Sequence, residues 1–493
     1  MAEIFSLSDD IPFEHEVVFI DDSILKILSV KRYLPQRRLV CKGLWHNQVV
    51  FAKLFIGKNA VCYANRDKAG VLILSQAAIK TPKLLKELAF KSLPGVALIF
   101  ESIEPALNAE EIYQSSTSTT RFKLMQQLVK TVAQHHKANL LQTDLHFKNF
   151  LVQQDTIYSL DGDGIRKLSL LFKKHQLMHN LAKLFSKMSV FDDKWINVLY
   201  KSYCNLVEKS HQMIDETYVL QLTQKKRAKA TRIYADKKVF RACTDVKVNQ
   251  NFKRFIAYSP DFDAENISEG QLDLALSDTQ NRLKSGNTCT VGTAFINNQT
   301  LVIKRYNIKS ILHALKLNIF LNRAAKSWAN AHRLKLLNIA TAKPLALVET
   351  RFGCFRKRAY FLTEFIDAPD IATFFKLETD NLIKEKVAFA TAQMFYKLYL
   401  LHISHGDCKA SNIKIVENRS VLIDLDSMQL HRIGRVFGHW WAEKQHVKDL
   451  KRLLQNWAND AETSVIFRQA FVQAYVEVDD YLHTSILERA KII

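Results

Sequence analysis

The chain has 493 residues, 48% of them apolar and 24% charged, with 13 glycines and 8 prolines. This is the make-up of ordinary globular protein, and it excludes a disordered or low-complexity chain. Seventy Lys and Arg against 49 Asp and Glu leave a formal charge of +21, so anionic partners are expected: nucleotide, anionic lipid or glycolipid, or nucleic acid. The length allows two to four domains. Seven scattered cysteines without a Cys-x-x-Cys pair read as reduced intracellular thiols. The start, Met1-Ala2-Glu3-Ile4-Phe5, has no basic n-region or apolar h-region, and no run of about 18 or more apolar residues occurs. A cytoplasmic chain is expected, with any membrane contact peripheral and on the inner face.

In chain order, residues 1–60 read as strands and turns. Leu39 to Trp45 and Gln48 to Phe55 flank His46-Asn47, a hairpin pattern. Lys53 lies inside the second strand. Such a lysine usually snorkels to an edge. In a kinase-like lobe it reaches nucleotide phosphates, and the acidic set downstream favours that role. A helix is expected near Asn65 to Ala78, ended by Thr81-Pro82. Val96 to Phe100 is a buried strand leading to Glu101. Leu124, Leu128, Val132 and Ala133 give helical spacing to Arg121 through Leu140. That helix delivers the chain to Asp144, with Asn149 five positions on. Two short strands around Gln153-Gln154-Asp155 then lead to Asp161, and the chain reads as helical to about Tyr218.

Lys225 to Lys229, with Arg232, Lys237, Lys238 and Arg241, makes a basic run. It reads as a solvated helix face in a linker, with a patch for phosphorylated glycolipid or an anionic membrane surface as the sharper alternative. No aromatic interleaving or binding motif accompanies the charge, which argues against nucleic acid. The second half restarts near Arg241. Lys284 to Gly292, containing Gly286, is either a phosphate-covering turn or an ordinary Gly-Asn hairpin turn. Lys304 follows on a strand, then a helix from about Leu321 to Leu337, then a strand from Tyr360 leading to Glu364.

The chain then reaches His405-Gly406-Asp407-Cys408-Lys409-Ala410-Ser411-Asn412, and Val421-Leu422-Ile423 ending in Asp424-Leu425-Asp426. An Asp, an Asn five positions on, and a second Asp at a strand end form a phosphoryl-transfer layout. The first Asp orients an acceptor hydroxyl and takes its proton; the Asn and later Asp offer oxygen ligands to Mg²⁺ on a nucleotide. Asp407, Asn412 and Asp424 meet this description, and Asp144, Asn149 and Asp161 repeat it 263 residues earlier. Glu101 and Glu364 share the same offset, which is too long for a solenoid and right for two whole domains. Asp163 and Asp426 read either as metal-adjacent or as solvated turn carboxylates. His405 reads as structural, and Trp440-Trp441 as packing in the core or acceptor lobe.

The His-Gly-Asp-x-Lys-x-x-Asn and Ile-Asp-Leu-Asp patterns, with Arg323 to Leu334 running into Ile339 to Val348, resemble the bacterial lipopolysaccharide kinases, the Kdo/heptose kinase group. These are similar to aminoglycoside phosphotransferases and eukaryotic-type protein kinases. The resemblance covers about 280–455 well and about 40–185 more loosely. It implies an α+β fold of two tandem protein-kinase-like bilobal domains, each with a small antiparallel sheet and a mostly helical C-lobe. The expected bounds are 1–222, a basic linker 223–240, and 241–493. The resemblance also implies ATP with Mg²⁺, and a sugar hydroxyl of the lipopolysaccharide inner core or a lipid-linked precursor as acceptor. Carried over, Lys304 pairs the phosphates, Asp407 is the base, Lys409 touches the γ-phosphate, and Asn412 and Asp424 hold metal. Lys53, Asp144, Asn149 and Asp161 match in the first half; Gly286, Glu101 and Glu364 fall on the cofactor side.

The helix Glu that pairs with the strand lysine in that group is not evident in the second half, where Ala329 and Asn330 stand nearby; in the first half the nearest carboxylate is Asp67. The first half has Gln142-Thr143-Asp144 against His405-Gly406-Asp407, and Asn180-Leu181 near the counterpart of Asp449, which the resemblance makes a brace of the catalytic loop. These departures set the second half as the active one. No long activation segment follows either late Asp, which favours a sugar or small acceptor over a protein. Two alternatives stand beside the kinase reading: a pseudokinase scaffold of envelope biogenesis, and an aminoglycoside-type small-metabolite kinase. The positive charge disfavours a polycationic acceptor.

Overall fold

The computed structural model describes residues 15–34, 37–169, 171–207, 215–286, 289–306, 322–353, 355–432, 438–476 and 484–493. The chain divides into two compact units, 1–226 and 227–493. The helix Glu216–Lys237 carries the chain from one into the other, so the basic run is helical as far as Lys237. It is not a simply solvated face: Arg227 is buried, and Arg232 donates to the His431 carbonyl at 2.9 Å.

The first unit opens with a six-stranded antiparallel sheet. In space its strands run His15–Val18, Ile24–Leu34, Arg38–Trp45, Gln48–Ile56, Gly95–Glu101, Leu84–Ala89. The turn at His46-Asn47 has two residues with positive φ, 49° and 61°. That matches the twist of the flanking strands, and the expected hairpin is present. Alternation along Arg38–Trp45 and Gln48–Ile56 sends Leu39, Cys41, Val50, Ala52 and Leu54 into one core beneath the sheet. A separate helical core forms around Ser118–Lys137, whose Leu124, Leu128 and Val132 pack with Leu181, Leu184, Phe185 and Leu199. This helix begins and ends about three residues before the expected bounds, because Thr117 caps it and Leu140 already belongs to a strand.

The second unit has a seven-stranded antiparallel sheet: Lys247–Gln250, Arg254–Tyr258, Pro344–Phe352, Phe355–Glu364, Gln299–Tyr306, Cys289–Ile296, Arg282–Ser285. Five neighbouring strands keep one order in both units: a hairpin strand, its partner, the lysine strand, the Glu-terminated strand and the strand beside it. Each unit is therefore of the mixed α+β kind. The helix Arg323–Leu336 follows the lysine strand as Ala60–Gln76 does in the first unit. Leu321, the expected start of this helix, and Asn287-Thr288 of the expected phosphate-covering turn lie outside the described residues.

In the first unit the helix Ala60–Gln76 lies against the turn after Asp161, and two glycines permit the approach. A Cβ on Gly70 would fall 1.9 Å from the Gly162 carbonyl oxygen; one on Gly162 would fall 2.1 Å from the Asp67 oxygen. Neither contact can relax, because both sides are backbone. Gly70→Ala is expected to destabilise the first unit by about 1–3 kcal/mol, the range for overpacking. Urea unfolding of the full chain measures it. Gly270→Ala, whose Cβ would meet nothing nearer than 3.9 Å, is the control and should cost nothing.

Candidate active site

In the second unit the loop before Asn412 and the strand pair after it place the acidic groups together. Ile413–Val416 and Arg419–Leu422 form a hairpin whose two-residue turn, Glu417-Asn418, has positive φ at both positions. The turn is this short because Arg419 and Ser420 belong to the second strand. The ladder closes with Ile423 N–H donating to the Asn412 carbonyl at 3.0 Å, so Asn412 and Asp424 end up side by side. Asn412 Nδ2 donates to the Asp407 carbonyl at 2.8 Å, which leaves the amide oxygen as its accepting end. Lys304 Nζ, from the sheet, donates to Asp424 Oδ1 at 3.0 Å. Burial pushes the Asp424 carboxyl up, but Lys304 beside it outweighs that and holds it below its ordinary value. Asp424 is left-handed, with φ 60°, a conformation that Asp tolerates better than most residues.

The loop carrying Asp407 is held from two sides. His405 is fully buried, and burial lowers its pKa, so its ring is neutral. Its Nε2 lies 3.0 Å from the Ile423 carbonyl and must be the donor there, which is the structural role expected. Asp449, on the helix Gly438–Leu454, accepts from His405 N–H at 2.7 Å and Gly406 N–H at 3.0 Å. Gly406 has φ 82°, and a Cβ there would sit 2.8 Å from the Ser427 carbonyl oxygen.

Asp449 makes the brace sensitive to pH. Burial raises its pKa from the ordinary 3.8 to about 6, against the lowering by the two N–H groups. Between about 4 and about 6 the folded chain holds a proton that the unfolded chain has released. Its contribution to stability therefore falls as pH rises through that window. Protonation also weakens acceptance from the two N–H groups. From pH 7 to 5, turnover should fall while this group's share of thermal stability rises. Asp449→Asn should be slow at every pH and lack the acidic limb near 6, as a kcat/KM profile with paired melting curves would reveal.

The missing helix carboxylate has a structural answer. Thr81 and Thr341 make the same bond, Oγ1 to the carbonyl of Ser159 and of Leu422. Fourteen residues upstream of each stand Asp67 and Ser327. In the first unit Asp67 is fully buried; it pairs with Lys53 at 2.6 Å and accepts from Gly162 N–H at 3.0 Å. In the second unit Ser327 Oγ donates to Asp426 at 2.6 Å instead, and Asp426 also takes Tyr306 Oη at 2.5 Å and Arg323 at 2.6 Å. Asn330 Nδ2 adds bonds to the carbonyls of Leu425 (2.9 Å) and Met428 (3.1 Å). There the turn docks on its helix through an acid of its own. Asp426, with a side chain 8% exposed, is neither solvated nor free for metal.

The first unit repeats the loop with changed parts. Asn149 Nδ2 donates to the Asp144 carbonyl at 2.8 Å, as Asn412 does to that of Asp407. Gln142 stands for His405, with Nε2 on the Asp161 carbonyl at 3.0 Å. Asn180 stands for Asp449, with Nδ2 on the Gln142 carbonyl at 2.8 Å. Lys53 Nζ is 3.7 Å from Asp161 Oδ1, a buried oxygen with no hydrogen-bond partner. Asp161 is extended here, with φ −112°.

Glu101 and Glu364 sit alike: each accepts from a backbone N–H, of Lys83 and Lys343, at 2.7 Å. Their carboxylates brace the strand ends. Gly286 directly follows the strand Arg282–Ser285, which pairs antiparallel with Cys289–Ile296. Lys409 Nζ lies 3.7 Å from Asp407 Oδ2, half exposed. Arg452, on the Asp449 helix, holds Asp407 Oδ1 at 2.6 Å. Arg452 was not singled out from sequence, although its place three residues after Asp449 sets both over the same loop. Trp440 and Trp441 are 52% and 45% exposed, so the expectation that they pack inside is corrected.

A sheet-borne lysine on an acidic turn, above an Asp–Asn loop, is the equipment of a kinase. Residues 280–475 match the model of the Lipopolysaccharide kinase (Kdo/WaaP) family, a kinase family, wholly within the second unit. The resemblance read from the second half of the sequence and the expectation of a kinase are borne out. No curated protein matches the chain. The solved structure of vaccinia related kinase 3 is similar at 10% identity over 34% of this chain, with a TM-score of 0.25; the match spans 55% of that chain. Among the described residues no helix is long and apolar enough to cross a membrane.

Proposed function

We propose that the second unit is an ATP- and Mg²⁺-dependent phosphotransferase acting on a sugar hydroxyl of the lipopolysaccharide inner core, heptose or Kdo. The observation that supports it most is the 3.0 Å approach of Lys304 to Asp424, beside the Asn412–Asp407 loop. Asp407 receives the hydroxyl proton, Lys304 and Lys409 pair phosphate oxygens, and Asn412 and Asp424 would hold the metal. An amide oxygen and an ionised carboxylate are hard donors suited to Mg²⁺, which takes its remaining ligands from phosphates and water. The metal would supply charge neutralisation on the transferring phosphoryl group.

Lys53, Asp144, Asn149 and Asp161 make the first unit a second nucleotide site, and the orphaned Asp161 oxygen fits a cation there. In this reading the chain is a tandem of two bilobal kinase-like domains. Glu101 and Glu364 serve the nucleotide indirectly, by fixing the strand end beside it, and Gly286 lies in the turn over the phosphates. Ser327 in place of a helix acid favours one competing reading, a second unit that binds nucleotide without turning it over. Thermal-shift titration with ATP and Mg²⁺, followed by radiolabelled transfer to core oligosaccharide, separates the two. Transfer is expected; a shift without transfer would sink the enzyme reading.

A further inference from the structure

Asp407 is not alone at the mouth of the second unit's site. Arg452 touches Asp407 Oδ1 at 2.6 Å, and its side chain is 36% exposed. A guanidinium has five N–H donors in a planar fork. One end is held by the base, so the fork is oriented while donors remain for a second anion beside the place where an acceptor hydroxyl meets Asp407.

The same helix continues this chemistry outward. Trp441, Lys444, Lys448 and Arg452 follow one another at three or four residues, the spacing of a single ridge, and the first three are solvent-exposed. Lys444 Nζ lies 5.1 Å from the Trp440 ring and 5.5 Å from the Trp441 ring. The acids of this helix do not cancel the ridge. Asp449 is buried under the loop, and Glu443 pairs with Arg489 and His439. From Trp441 to Arg452 the ridge is about 16 Å long at 1.5 Å per residue. At one end stands the base; at the other, two exposed indoles of the kind that settle at a lipid–water boundary.

We infer that this ridge is the acceptor track: Arg452 grips a phosphate group next to the accepting hydroxyl. Lys448 and Lys444 take further anionic groups, and Trp440-Trp441 meet the lipid end of a polyanionic glycolipid. The inference rests on the proposed phosphotransfer and names what the acceptor must carry. Arg452 is thus a specificity residue that also positions Asp407.

Binding and transfer are read separately to test it. The full chain is titrated calorimetrically, without ATP, with phosphorylated core oligosaccharide and with the same material after phosphatase treatment. Arg452→Ala should weaken binding of the phosphorylated form by about tenfold or more, the scale of one charge-assisted hydrogen bond, and leave the dephosphorylated form unchanged. Lys444→Glu with Lys448→Glu should weaken the phosphorylated form again, less so at high salt. Arg452→Lys keeps the charge without the fork and should fall between; it also serves if the alanine variant does not fold. Equal binding by wild type and variant, equal loss on both oligosaccharides, or no binding by wild type would overturn the inference. Arginine-dependent binding without transfer from ATP would sink the kinase reading and leave the track standing.

Discussion

Asp407→Ala is expected to lower kcat for phosphoryl transfer by roughly 10²–10⁴-fold, the range for a general base. Asp407 is tied through its carbonyl to Asn412, and through Oδ1 to Arg452. Removing the carboxylate leaves the proposed nucleotide and metal ligands Lys304, Asn412 and Asp424 in place, so the thermal shift with ATP and Mg²⁺ should persist. The KM for ATP should therefore stay near wild type while kcat collapses. Asp407→Asn keeps the shape and should be nearly as slow, because an amide cannot take the hydroxyl proton. A variant turning over at close to the wild-type rate would remove Asp407 from the chemistry. Loss of the nucleotide shift together with kcat would mean that the loop had been disturbed.

What was readable from sequence, and what was not, follows from the range of each interaction. The Asp–Asn–Asp layout is local: a tight loop, a two-residue hairpin and a strand end fix the positions of Asp407, Asn412 and Asp424 from within 18 residues of chain. The same holds at Asp144, Asn149 and Asp161, so the offset of 263 sufficed to find both. The helix behind them obeys a different count. Asp67 and Ser327 are 260 apart, because the spacing from helix to loop differs by three residues between the halves. A search at one offset therefore pointed to Asn330, whose amide instead ties the helix to the turn. Asp426 could not be told from a solvated turn residue, because the groups that bury it, Tyr306, Arg323 and Ser327, lie about a hundred residues away. Trp440-Trp441 read as packing in the core or acceptor lobe, but the buried stripe of that helix runs through Ala442, His446, Asp449, Leu450 and Leu453 and leaves both indoles outside it.

The two units differ at the point where the strand lysine meets its acids, and that difference can be measured one carboxylate at a time. In the first unit Lys53 is shared between Asp67 at 2.6 Å and Asp161 at 3.7 Å, and Asp67 also holds the turn through Gly162. In the second unit Lys304 sits directly on Asp424, and Asp426 holds the turn. Asp424→Ala should therefore remove a proposed metal ligand and the lysine's only carboxylate partner among the described residues, while the helix stays docked through Asp426. Transfer is expected to fall by roughly 10²–10³-fold, the scale of losing one principal stabiliser of developing charge. Fold stability should fall by about 1 kcal/mol, the backbone cost of Ala at a left-handed position, because the Asp424 side chain itself is about one-third exposed. Asp161→Ala should leave transfer to the core acceptor within error of wild type if the second unit alone turns over, yet should remove one of two nucleotide-binding events in a titration. If Asp161→Ala abolished transfer while Asp424→Ala spared it, the active unit would be the first. Its intact Lys53–Asp67 pair would then outweigh the loop features that favour the second.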